Sequence, residues 1–235
     1  MTMKACFPSV PLEAPSCFAG NSESPVRAWL EQYQASKFKF SQGQARALSR
    51  LLPLLVCGEQ SSQWVFYNES QRQKCKSSEA IAQDDFKRIV LDEKYHEQAL
   101  ECVRRQLCEP VDILSIKRRS QRFFTSLGAR KTIEEHFAQI ACLDALVCKL
   151  MLLIEKGRLA PQHPFVLLCR AIKQDEARHV SVSRKHALML GYDRSQWREM
   201  NAVISRRLFE LLNTERAAFG EIGVQLDDIF DVISA

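Results

Sequence analysis

DEKYH at residues 92–96 and DEARH at residues 175–179 are the two stretches of sequence that decide the fold. Both read D-E-x-x-H, and both fall in the middle of long helical patterns. The glutamate and the histidine of each motif are three residues apart, which is about 300° around a helix, so both side chains project from one face. One helix can therefore supply two ligands to one metal site.

The glutamates and histidines of both motifs lie in register with apolar stripes, so the ligand face is the core face. The stripes consist of Phe86, Ile89, Val90, Leu100 and Val103 in the first helix, and of Phe165, Leu168, Cys169, Ile172, Ala187 and Leu190 in the second. An ionised carboxylate buried there costs several kcal/mol unless something compensates its charge. A divalent metal ion does so directly. The alternative is a pair of buried hydrogen bonds between glutamate and histidine.

Two further acids occupy core-facing positions upstream of the motifs. Glu59 precedes Glu93 by 34 residues, and Asp144 precedes Glu176 by 32 residues within a nearly uniform apolar run. The two halves of the chain thus repeat one arrangement, as expected of two antiparallel helix pairs that present ligands at the same depth. Glu135 is the alternative to Asp144, but it lies nearer the predicted helix start, where the helix dipole favours acids.

The remaining sequence predicts an all-α protein of 235 residues with only eight glycines. We expect a poorly ordered leader over residues 1–25 and one helical domain over residues 26–235. The metal-binding bundle covers about residues 44–190 of that domain, with a kink at Pro53, and C-terminal helices follow over residues 194–235. The first of these C-terminal helices is predicted to run from about residue 194 to 219.

Composition favours a cytoplasmic protein without nucleic-acid function. The net charge of +5 is mild, and no run of about 18 uncharged apolar residues predicts a membrane span. Nine cysteines without a CxxC pair indicate reduced thiols. Basic residues cluster at Lys117, Arg118, Arg119 and Arg122 and again at Arg130 and Lys131, which indicates either a solvated helix face or a docking patch for an acidic partner.

Together, the motifs and the two upstream acids resemble the ferritin-like di-iron carboxylate superfamily. That superfamily includes bacterial hydrocarbon monooxygenases, the ribonucleotide reductase small subunit, acyl carrier protein desaturases, aldehyde-deformylating oxygenases and the p-aminobenzoate N-oxygenase group. The resemblance implies a ferritin-like four-helix bundle with additional flanking helices. It also implies six metal ligands: Glu59, Glu93, His96, Asp144, Glu176 and His179.

The resemblance further implies the chemistry. Two iron ions, or manganese or a mixed pair, would activate O₂ to oxidise a small organic or carrier-protein-bound substrate by hydroxylation, N-oxygenation or a related reaction. A ferredoxin or a reductase would supply electrons, and a homodimer is compatible with the pattern. Asp92 and Asp175 would hydrogen-bond the ligating histidines, with Arg178 beside them in the D-E-x-R-H form of the oxygenases. Ile172 replaces the additional histidine of the N-oxygenase group, and Asp144 replaces the more usual glutamate.

Four residues within a turn or two of the ligands are candidates for the substrate pocket, although plain core packing explains each of them as well: Gln63, Phe66, Tyr67 and Met151. Other functional classes remain open. A ferroxidase or iron-storage bundle would use the same ligands, and a radical-generating subunit would need a tyrosine close to them. A metal-free interaction protein is the simplest alternative, and it predicts that Glu59→Ala or Asp144→Ala leaves stability unchanged or raised.

Overall fold

The structure, a computed structural model, describes residues 5–11, 24–74, 80–128 and 132–230. The part described is all-helical and contains no strand. Its α-helices are α1 (Pro25–Tyr33), α2 (Gln42–Lys74), α3 (Ala80–Arg104), α4 (Ile113–Leu127), α5 (Ile133–Glu155), α6 (Pro164–Met189), α7 (Trp197–Asn213), α8 (Arg216–Glu221) and α9 (Asp227–Phe230). A short 3₁₀ turn, Arg194–Gln196, precedes α7.

Two antiparallel helix pairs form the centre of the molecule. Helix α2 packs along α3, and α5 packs along α6, while α3 of the first pair meets α6 of the second. The hydrophobic core consists of side chains from both pairs and from the shorter helices around them. Because each pair buries an apolar stripe along its whole length, ligands at the same depth on the four helices meet in the middle of the core.

Helices α4 and α7 cover one side of the two central pairs, over α2 and α5. Helix α4 contacts α2, α7 contacts α5, and α4 and α7 also touch each other. Helix α1 lies on the opposite side, against α3 and α6, where the Trp29 indole nitrogen donates a hydrogen bond to the carbonyl of Pro164 at 2.7 Å. The centre is therefore covered on two sides by short amphipathic helices.

The prediction of one long helix over residues 194–219 is wrong, because the helix is interrupted at Thr214 and Glu215. The Thr214 hydroxyl donates to the carbonyl of Leu211, and the Glu215 side chain is only 2 % exposed. Glu215 accepts hydrogen bonds from Arg50 of α2 and from Arg119 of α4. Helix α7 therefore ends just before Glu215, whose buried carboxylate pairs with arginines of α2 and α4. Pro53, in contrast, lies inside α2, which continues as one helix.

The basic cluster of α4 is partly used inside the protein. Arg119 pairs with Glu215 at 2.6 Å, whereas Arg118 and Arg122 are exposed. Arg130 and Lys131 lie outside the described residues. Fewer positively charged side chains are therefore available for the predicted docking patch than the sequence indicated.

The seven cysteines in the described ranges are free thiols, and four of them are buried: Cys6, Cys57, Cys142 and Cys169. Cys17 and Cys75 lie outside those ranges. Most of the predicted leader is likewise not described. Residues 5–11, however, pack on the bundle, where the Cys6 backbone nitrogen donates to Gln60 at 2.7 Å.

Helix α5 is long and apolar enough to cross a membrane, with a mean hydropathy of 2.0 over its most apolar window. That window is 61 % buried inside the protein. Length and hydropathy are weak evidence here, because the core helix of a soluble protein has the same properties. The absence of a membrane span therefore stays a prediction.

Candidate metal centre

The structure brings the six predicted ligands together in the core. Each of their side chains comes from a helix of the two central pairs, and none is more than 6 % exposed: Glu59, Glu93, His96, Asp144, Glu176 and His179. Two groups of ligand atoms lie close enough to hold a metal ion. One consists of Glu59, Glu93, His96 and Glu176, and the other of Asp144, Glu176 and His179.

The motif glutamates lie between the two histidines. Glu93 has one carboxylate oxygen 3.4 Å from His96 Nδ1 and the other 3.2 Å from His179 Nδ1. Glu176 has the corresponding distances of 3.7 Å and 3.6 Å. Each of these carboxylates thus faces both groups of ligand atoms, while Glu59 and Asp144 each belong to one group.

The far nitrogens of the histidines face the two motif aspartates in a crossed arrangement. His96 Nε2 lies 3.2 Å from Asp175 of the other motif, and His179 Nε2 lies 3.5 Å from Asp92 of the other motif. An Nε2–H group that donates to a carboxylate leaves the Nδ1 lone pair pointing at the cluster, which is the tautomer that a metal ligand needs. Asp175 of α6 therefore orients His96 of α3, and Asp92 of α3 orients His179 of α6.

Further side chains hold these two aspartates. The Ser24 hydroxyl, at the start of α1, donates to Asp175 at 2.9 Å. Arg178 donates to Asp92 and lies 3.8 Å from Asp175. The predicted positions of Asp92, Asp175 and Arg178 beside the histidines agree with this geometry. Ser24 was missed, because nothing in the sequence links a residue before α1 to a motif in α6.

Burial and mutual contact shift the pKa values of the cluster in opposite directions. Burial and the neighbouring Glu93 carboxylate raise the pKa of Glu59 well above its usual value. Burial opposes ionisation of Glu93, yet close contacts with Glu59 and both histidines hold its pKa well below its usual value. Burial also opposes the charge on His179, but Glu176 and Glu93 outweigh it and raise its pKa to about 10.

Asp144 and Glu176 have pKa values above their usual range, because they are buried and lie near other carboxylates. Without metal ions, the four buried carboxylates therefore need bound protons to compensate their negative charge. Two positively charged metal ions would replace those protons.

Three atoms of the cluster are buried and make no hydrogen bond: Glu93 Oε2, Asp144 Oδ2 and His179 Nδ1. Buried polar atoms normally have partners, and an unpartnered one costs about 1–3 kcal/mol. All three are of the kinds that bind iron, manganese or zinc. The cluster could therefore hold metal ions, and its unpartnered atoms are those that a metal would engage.

Other predicted site residues lie elsewhere. Glu135 stays in the first turn of α5, where its backbone nitrogen donates to the capping Thr132, so Asp144 rather than Glu135 joins the cluster. Gln63 donates to Glu97 and to the backbone of Glu93.

Two cavities lie beside the cluster, on the side that α4 and α7 cover. The larger encloses about 620 Å³, counted out to the surface, and is lined by Glu59, Glu93, Asp144 and Glu176 together with leucines of α2, α5 and α7. The smaller encloses about 440 Å³ and extends toward Phe66, His136 and Gln139. Of the four pocket candidates only Phe66 lines a cavity; Gln63, Tyr67 and Met151 line neither, and Met151 is fully buried in the core.

The cavity residues that sequence reasoning missed include Ser62, Phe124 and Leu211. Ser62 could have been found, because it lies three residues after Glu59 on the same helix face; its hydroxyl donates to Glu93 at 2.6 Å. Phe124 and Leu211 come from α4 and α7, and nothing in their local sequence indicates that they cover the cluster.

No family model, no curated protein and no solved structure matches the chain. The functional reasoning therefore rests on the geometry of the cluster and its cavities.

Proposed function

We propose that the protein is a ferritin-like di-iron enzyme that uses O₂ to oxidise an organic substrate held in the cavities beside the cluster. The observation that carries this proposal is the pair of ligand groups that share Glu176 in the core between the two helix pairs. A cluster for structure alone would have no need of a cavity, whereas this one forms the polar floor of an apolar cavity.

Charge and ligand type favour two divalent ions. Four carboxylates carry four negative charges, which two divalent cations balance while both histidines stay neutral. Carboxylate and imidazole ligands suit iron and manganese better than metals that prefer thiolate. Glu59 and His96 would complete one position and Asp144 and His179 the other, with Glu93 and Glu176 available to both.

The protein's own residues would then do three things. Asp175 and Asp92 keep the histidine rings in the ligating tautomer. Ser62 fixes one oxygen of Glu93 through its hydroxyl. The leucines of the larger cavity exclude bulk water from the space next to Asp144 and Glu59.

Bound iron would supply the reduction of O₂, which side chains of this kind cannot perform. For a hydroxylation, R–H, O₂, two electrons and two protons give R–OH and water. One oxygen atom enters the C–H bond and the other leaves as water. The two electrons come from an external donor of the ferredoxin or reductase class.

Metal content after anaerobic loading with Fe²⁺ is the direct test, followed by stopped-flow absorbance on mixing with O₂. We expect about two iron ions per chain, because two groups of ligand atoms are present. Glu176→Ala should lose both ions since both groups share this residue, whereas Glu59→Ala should lose one. Glu97→Gln is the matched control, because Glu97 is bound by Gln60 and Gln63 and not by the cluster.

Wild-type protein that binds no metal after loading would contradict the proposal. Protein that binds two irons and consumes O₂ only to oxidise the metal itself would be a ferroxidase. The radical-generating alternative is less favoured, because no tyrosine occurs among the described residues that line the two cavities.

A further inference from the structure

The two cavities beside the cluster are arranged end to end, and five residues line both of them: Gly58, Ser62, Phe124, Leu143 and Asp144. Together they extend along one face of α5. The smaller begins at His136 and the larger ends at Leu150, a difference of 14 residues or about 21 Å of helix. On α2 the lining runs from Leu54 to Phe66, about 18 Å. The combined space is thus long and narrow.

The metal ligands lie near the middle of this space rather than at one end. Asp144 lines both cavities and is about 12 Å of helix from His136 and about 9 Å from Leu150. Glu59 occupies the corresponding central position on α2. The middle of a molecule that filled both cavities would therefore lie beside the cluster.

The lining changes character from one end to the other. Beyond Asp144 the larger cavity is lined by leucines and a valine alone: Leu54, Leu55, Val147, Leu150, Leu208, Leu211 and Leu212. The opposite end of the smaller cavity contains the polar side chains of His136 and Gln139. No lysine or arginine occurs among the described lining residues of either cavity. The lining therefore offers no partner for a negatively charged occupant, and it is apolar at one end and weakly polar at the other.

The ring of Phe124 lines both cavities where they adjoin. It is half-buried, it packs edge-on against Phe123 at 4.9 Å between ring centroids, and it faces Gly58 of α2. A Cβ atom on Gly58 would lie 3.2 Å from Phe124 Cζ, so a larger side chain there would push the ring into the cavities. Glycine at position 58 therefore leaves room for the Phe124 ring beside the two cavities.

We infer that the cavities take a single unbranched aliphatic chain, which lies along α5 with its apolar end among the leucines and its weakly polar end at His136 and Gln139, and that an internal carbon of this chain meets the metal cluster past Phe124. This deepens the proposed function and rests on it for the chemistry, although the binding itself needs no metal.

The binding claim is tested on chelator-treated protein by isothermal titration calorimetry with unbranched primary alcohols from hexanol to hexadecanol. Affinity should rise with each added methylene until the chain spans both cavities, since each buried CH₂ contributes about 0.8 kcal/mol, or roughly a four-fold change in Kd. Gly58→Leu should weaken hexadecanol about ten-fold or more and hexanol, which fits in one cavity, far less. Leu143→Phe narrows the same point from α5 and should act in the same direction should Gly58→Leu fail to fold.

Phe209→Ala is the matched control, because Phe209 is a half-buried aromatic residue that packs on Phe230 and lines neither cavity. Affinity that does not depend on chain length would overturn the inference, as would folded Gly58→Leu and Leu143→Phe proteins that bind hexadecanol like the wild type.

The position of the chain is tested with Mn²⁺-loaded protein and hexadecanol carrying ¹³C at the hydroxyl end, the middle or the methyl end. Paramagnetic broadening should be strongest for the middle label, and strongest broadening at the methyl would refute passage of the chain past the cluster. Failure of Mn²⁺ to bind would instead contradict the proposed function, and the calorimetric result on metal-free protein would remain separate from it.

Discussion

Asp144→Leu should stabilise the metal-free protein and at the same time strongly reduce its stabilisation by metal. Asp144 is 6 % exposed, and its Oδ2 atom makes no hydrogen bond. A buried polar group without a partner costs about 1–3 kcal/mol. Leucine removes that cost, and its larger side chain has room because Asp144 lines both cavities. For a chain of this length, 1 kcal/mol shifts Tm by roughly 2–4 °C, so we expect an increase of roughly 2–12 °C.

The wild-type protein should respond in the opposite way when metal is added. Binding at a free metal concentration of one hundred times Kd stabilises the folded state by about 2.7 kcal/mol, which raises Tm by roughly 5–11 °C. Asp144→Leu removes one ligand of the second group and should reduce this gain strongly. The assay is thermal unfolding followed by circular dichroism, with chelator and with anaerobic Fe²⁺ or with Mn²⁺.

Asp144→Asn is the control, because asparagine keeps a buried polar group at the same position and should not stabilise the metal-free protein. The reasoning would be refuted by an Asp144→Leu protein that melts below the wild type in chelator and still gains stability from metal. Such a result would mean that Asp144 has a structural partner and is not held in place for a metal ion.

Three further expectations concern the outer residues of the cluster and the packing of the fold. Asp175→Asn should weaken metal binding about 10–100-fold in a competition titration with a chromophoric chelator while leaving the fold intact, and an unchanged affinity would remove its role in orienting the histidine. Glu215→Gln should lower the free energy of unfolding in urea by about 1–3 kcal/mol, because a buried carboxylate that accepts from two arginines loses its charge; a change within error would show that the solvent already screens this network. Gly223→Ala should destabilise more than Gly191→Ala. Both glycines have positive φ, but a Cβ at position 223 would lie 2.8 Å from a backbone nitrogen whereas position 191 is open, so equal losses in Tm would contradict the contact argument.

Stability at acidic pH should depend on Asp112. The hydrogen bond from Arg50 holds the pKa of this carboxyl below its usual value of 3.8. A carboxyl with a lowered folded-state pKa stabilises the protein above its unfolded pKa, and this stabilisation is lost as the pH falls through the folded value. Asp112→Asn should therefore lower Tm at pH 7 slightly and make Tm less dependent on pH below about 4. An unchanged pH profile in the variant would show that the pair is not coupled to folding.

The sequence predicted the central helices and the cluster because both depend on local periodicity. Glu93, His96, Glu176 and His179 interrupt apolar stripes within single helices, and Asp144 stands alone in an apolar run, so burial and its cost could be read from short windows. The same logic ranked Asp144 above Glu135, in agreement with the geometry.

The features that the sequence did not predict depend on contacts between helices. The crossed pairing of Asp92 with His179 and of Asp175 with His96 needs the packing of α3 on α6, which no single helix encodes. The break after α7 was missed for a similar reason, since the acid at position 215 is drawn inward by arginines from two other helices. Three of the four pocket candidates line neither cavity, since part of the lining comes from α4 and α7, whose positions over the ligands the sequence does not indicate.

The crossed aspartates also affect how metal ions would bind. Because each histidine is oriented by the other motif, neither helix pair contains a complete binding position, and an isolated half of the chain is expected to bind metal poorly. A first bound ion would tie α3 to α6 and so arrange part of the position for a second, which would favour cooperative uptake over two independent events.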